Sequence, residues 1–109
     1  MDQEKFEKVI DLIAKQLELE NEISKKFVSE ALYAIKTFDG KHTEKGLAKL
    51  DKFGALGVII KMDEKYETLA EYYDPKNEEK VDEPKLLKLW EDVAVYSLMG
   101  KIIEKGEWK

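Results

Sequence analysis

The stretch Ala55-Leu-Gly-Val-Ile-Ile-Lys-Met62 reads two ways on its own, and its continuation decides the fold class. Val58, Ile59 and Ile60 are β-branched and suit a buried strand. Beyond them, Tyr66, Leu69, Ala70 and Tyr73 recur at intervals of three and four, the period of one helix face. A strand would alternate every second residue, so the spacing predicts a helix over residues 59–73, stopped by Asp74 and Pro75. Gly54 and Gly57 read as a turn ahead of it.

Outward from this segment, the sequence stays helical. Residues 76–83, KNEEKVDE, form a charged connection whose end, Asp82 or Glu83 before Pro84, suits a helix start. The helix expected over 84–104 is apolar on most sides, with Leu86, Leu87, Leu89, Trp90, Val93, Leu98, Met99 and Ile102, before Gly106 ends it. A helix of that kind is covered by neighbours or by a second chain. Upstream, Phe6, Val9, Ile10, Ile13 and Leu17 hold one helical phase, and Ile23, Phe27, Val28, Ala31, Leu32 and Ile35 resume it after a break at residues 18–21. Asn21 could cap a new helix and make a hairpin arm. No glycine or proline forces a turn there, so the reading favours one long helix with a phase shift, ended at Asp39 and Gly40. Thr43 then opens a short helix through Leu47, Leu50 and Phe53 to Gly54. The expectation is a single all-α domain over residues 1–109, a compact bundle of four to five helices with a long N-terminal helix. A first helix that overhangs the bundle and an apolar last helix favour a homo-oligomer.

Composition removes whole classes of chemistry. With no cysteine, disulfides, thiolate nucleophiles and cysteine zinc sites are excluded, and a reducing cytoplasm is the expected setting. His42 is the one histidine, so two-histidine metal sites are excluded as well; it reads as a surface loop residue in DGKHTEKG. All 19 basic residues are lysine, which leaves point charges for phosphate and no guanidinium forks. A net charge of -5 argues against nonspecific nucleic-acid binding, and no apolar run is long enough for a membrane span.

Two helices carry carboxylates on otherwise apolar faces. Asp63, Glu64, Glu67 and Glu71 recur at spacings that let subsets share a side of the first, and Asp92 has Leu89, Val95, Tyr96 and Met99 within one turn on the second. A charge among such neighbours is costly unless compensated. Packed together, the helices could converge Glu64, Glu67 and Asp92, with Asp63 and Glu91, on a Mg²⁺ ion that meets a phosphate. Lys61 and Lys65 would contact phosphate oxygens, and Tyr66 and Tyr96 could stack a base. The competing reading returns the carboxylates to solvent and the tyrosines to the core.

The run Gly57-Val-Ile-Ile-Lys61-Met-Asp63-Glu64-Lys65 with Leu69, and later Glu91-Asp92-Val-Ala-Val-Tyr96, resembles the phage and bacterial family called nucleotide-modification-associated domain 1. That family is all-helical and is distantly similar to MazG-type nucleoside triphosphate pyrophosphatases. The resemblance implies a magnesium-dependent nucleotide site, with Lys65 and Asp92 at matching positions and Glu64 where aspartate is usual. Lys61 and Thr68 stand where the family carries arginine, which implies binding without turnover. The alternative is a non-catalytic phage counter-defence protein that binds a host protein or a signalling nucleotide.

Overall fold

A computed structural model describes residues 2–45, 54–77 and 82–108, with only the backbone of 41–45. The fold is all-α. Among the described residues there are four helices and no strand: α1 (Gln3–Gln16), α2 (Glu22–Lys45), α3 (Gly54–Tyr72) and α4 (Glu83–Glu104). The chain splits into two compact units, residues 1–40 and 41–109.

The first unit is a helical hairpin. Asp2 caps α1 by accepting hydrogen bonds from the Glu4 and Lys5 amides at 2.8 and 3.2 Å. Phe6, Ala14 and Ala34 are buried, and the Phe6 and Tyr33 rings lie 4.5 Å apart between α1 and α2. The single long helix expected here is therefore broken, and the reason is local. Leu17 caps α1, Glu18 turns left-handed at φ 54°, and the Glu18 and Leu19 amides donate to the Lys15 and Ala14 carbonyls at 3.1 and 2.9 Å. This is a Schellman closure, which normally recruits glycine at its left-handed position. Glutamate there meets the steric cost that every side chain meets in that region. Glu18→Gly is expected to raise stability by about 1 kcal/mol, read as a higher denaturant midpoint.

Asp39 and Gly40 do not stop α2, which continues to Lys45 and takes His42 and Thr43 into the helix rather than a loop. Among the described residues, nothing lies within 4 Å of where a Gly40 side chain would start. The short helix expected through Leu47, Leu50 and Phe53 falls outside the described residues.

In the second unit, α3 starts at Gly54 itself, whose φ of +56° only glycine adopts easily, and Gly57 is buried within the helix rather than in a turn before it. Asp74 ends the helix as expected and accepts from the Lys76 amide at 2.9 Å. Pro84 lies in the first turn of α4, and Gly106 at φ 71° closes it with the same Schellman pattern, its own amide and that of Glu107 reaching the Ile103 and Ile102 carbonyls.

The two helices pack as an antiparallel pair, and the contacts step down it in register. Gly100 faces Val58, with Cγ1 of Val58 3.7 Å from where a Cβ would stand. Next, the Ser97 hydroxyl reaches Met62 Sδ at 3.3 Å and Lys65 meets Asp92. Trp90 Nε1 donates to the Tyr73 hydroxyl at 3.2 Å, their rings edge to face, and Lys85 lies over the Tyr72 ring. Val58, Leu69, Leu89 and Met99 are buried between these levels.

Candidate functional site

The face of α3 that meets α4 carries Val58, Met62, Lys65, Leu69 and Tyr72, one residue per turn at intervals of four and three. The α4 face that answers it carries Leu89, Asp92, Tyr96, Met99 and Ile103. Asp92 thus enters the helix–helix seam, where 14% of its side chain is exposed. Its charge is compensated twice. Lys88, one turn back on α4, brings Nζ to 2.9 Å from Oδ1, and Lys65 on α3 reaches Oδ2 at 3.6 Å. Lys61 and Glu64 form a further pair at 3.8 Å, both side chains more than half exposed.

Tyr96 completes the cluster. Burial lifts its phenol above the ordinary tyrosine value, the Asp92 and Glu64 carboxylates push the same way, and Lys61 and Lys88 pull it down. The folded protein therefore keeps this proton where the unfolded chain has lost it. The associated stability is fully present below about pH 10 and is lost as pH rises toward the folded value. In Tyr96→Phe that loss is expected to be smaller, which urea denaturation of both proteins from neutral to alkaline pH would read. Equal pH profiles would mean that the phenol contributes nothing.

Of the residues picked out in the sequence, the structure brings together Lys61, Glu64, Lys65, Asp92 and Tyr96. The other carboxylates go elsewhere. Asp63 and Glu67 lie on the opposite, exposed side of α3, beside Leu56, Ile59, Ile60 and Tyr66. Glu91, one residue before Asp92, points about 100° around α4 from it, and its Oε1 is buried without a hydrogen-bond partner among the described residues. No three of the described aspartate, glutamate or histidine side chains are grouped closely enough to hold a metal ion. Of the two tyrosines singled out for stacking a base, Tyr66 is 61% exposed on α3 and Tyr96 lies on the seam side of α4. Lys88 is the functional-looking residue that the sequence reading left out. Its signal was present, an ammonium four residues before Asp92 on one helix.

A shallow hollow is lined by Glu71, Asp74, Lys76 and Asn77, built from the turn in which Asn77 Nδ2 donates to the Glu71 carbonyl at 2.9 Å. The more prominent surface feature is apolar. Leu56, Ile59, Ile60 and Tyr66 on α3 are each more than half exposed, as are Leu87, Trp90 and Leu98 on α4. No described helix is long and apolar enough to cross a membrane. No family model, curated protein or solved structure matches the chain.

Proposed function

We propose that the chain is a non-catalytic binding protein whose α3 presents an acidic, apolar face to a protein partner. The observation that carries this reading is the face itself. Leu56, Ile59, Ile60 and Tyr66 are 63, 53, 51 and 61% exposed, on the side of α3 turned away from α4, with Asp63 and Glu67 set among them. Exposed apolar side chains gathered in a patch and rimmed by polar residues mark interaction sites, and charges at the patch select the sign of the partner. The partner that fits is an apolar surface rimmed by lysine or arginine.

A second reading is a nucleotide-binding domain of phage type, in which lysines of the α3–α4 seam meet a phosphate. One observation favours it, the gathering of Lys61, Lys65 and Lys88 around Asp92 and Tyr96. A phosphate would have to displace Asp92 from its two lysines, which weakens this reading relative to the first.

Both readings are tested together. A photo-crosslinking residue placed at position 60 in cells is expected to give a discrete protein adduct that Asp63→Lys abolishes. Purified protein is expected to show no rise in Tm with Mg²⁺ and any nucleoside triphosphate. A rise of several degrees without an adduct would replace the first reading with the second.

A further inference from the structure

We propose that α4 pairs antiparallel with α4 of a second copy of this chain, through the side that faces away from α3. The stripe there runs Glu83, Leu87, Glu91, Ala94, Leu98, Lys101 and Lys105 at intervals of three and four, with Ile102 beside Lys101, along about 33 Å of helix. Leu87, Leu98 and Ile102 are 59, 56 and 38% exposed, and Trp90, whose indole donates to Tyr73, borders the stripe at 52%. The choice of occupant comes from the charges. Both acids of the stripe, Glu83 and Glu91, lie in its N-terminal half, and both lysines, Lys101 and Lys105, in its C-terminal half.

A two-fold axis near Ala94 sets Glu83 of each copy opposite Lys105 of the other, and brings Lys101 within one turn of Glu91. Antiparallel helices also place opposite dipole ends together. A parallel pair would set Glu83 against Glu83 and Lys101 against Lys101, so the stripe matches itself only when reversed. Ala94, at the midpoint, lets the two axes approach. Such self-complementarity is what a closed two-fold interface requires, and a foreign partner would not.

Sedimentation equilibrium of the full chain tests this. The wild type is expected to dimerise, and Leu98→Glu to weaken the dimer at least about tenfold, one apolar contact being exchanged for an unpaired charge. Two further variants, Glu83→Lys with Glu91→Lys, and Lys101→Glu with Lys105→Glu, are each expected to be monomeric alone and to form a heterodimer when mixed. Circular dichroism checks that each keeps its helices. A monomeric wild type, or a dimer indifferent to Leu98→Glu and to both charge variants, would overturn the proposal. The α3 surface is separate: Ile60→Lys is expected to leave the dimer intact, so failure of one proposal does not count against the other.

Discussion

Leu69→Ala is expected to cost about 3 kcal/mol, enough to leave the second unit partly unfolded at physiological temperature. Leu69 is 4% exposed and sits on α3 between the level of the Lys65–Asp92 pair and that of the Tyr73–Trp90 hydrogen bond, where Leu89 supplies the facing bulk of α4. Removing its three terminal carbons forfeits their transfer energy and leaves a gap that two helices pinned at both neighbouring levels cannot close by sliding. Among the described residues of this unit, Val58, Leu69, Leu89 and Met99 are the strongly buried hydrophobic side chains, so one loss is a large fraction of the described core. Leu56→Ala is the control. On the same helix but 63% exposed, it is expected to change stability by less than about 0.5 kcal/mol. Denaturant midpoints of the two variants read the contrast at concentrations where any dimer has dissociated. If Leu56→Ala proved as costly as Leu69→Ala, the outer face of α3 would have to be covered in solution.

Why the sequence settles some of this and not the rest follows from where each signal resides. The helix expected over 84–104 is observed as Glu83–Glu104, since proline at its start and glycine after its end fix both boundaries independently of packing. Residues 59–72 of the expected 59–73 likewise lie in α3, which begins earlier because Gly57 joins the helix. The break after α1 hid because its left-handed residue is Glu18, a type that seldom takes that conformation. Gly40 misled in the other direction: it permits a stop without imposing one, and no proline follows it. Meeting of Lys65 with Asp92 was legible from helical spacing once the two helices were taken as partners. Dispersal of Asp63, Glu67 and Glu91 was not, because α3 and α4 each carry apolar residues on two sides. Periodicity then identifies the helix without saying which side is the seam.

Asp92 is the residue whose expected behaviour changes most between sequence and structure. Alone among Leu89, Val95 and Met99 it reads as an uncompensated charge, which Asp92→Asn should relieve. Paired with Lys88 at 2.9 Å and Lys65 at 3.6 Å, it should respond in the opposite direction, and Asp92→Asn is expected to lower stability by about 1–2 kcal/mol. Both lysines are about 40% exposed and can extend into water once released, which keeps the loss below that of breaking a fully buried pair. What Asn cannot replace is the bridge from α3 to α4, because a neutral amide attracts neither ammonium strongly. Lys88→Met should lose less than Lys65→Met when compared in the Asp92 background, since its pair lies within one helix, whereas Lys65 joins two. A double-mutant cycle over Lys65 and Asp92, read by urea denaturation at low and high salt, gives the coupling directly. A coupling of about 0.5–1 kcal/mol that shrinks with salt is the expected result. Zero coupling, or Asp92→Asn more stable than the wild type, would return Asp92 to the status of a strained charge held for a ligand.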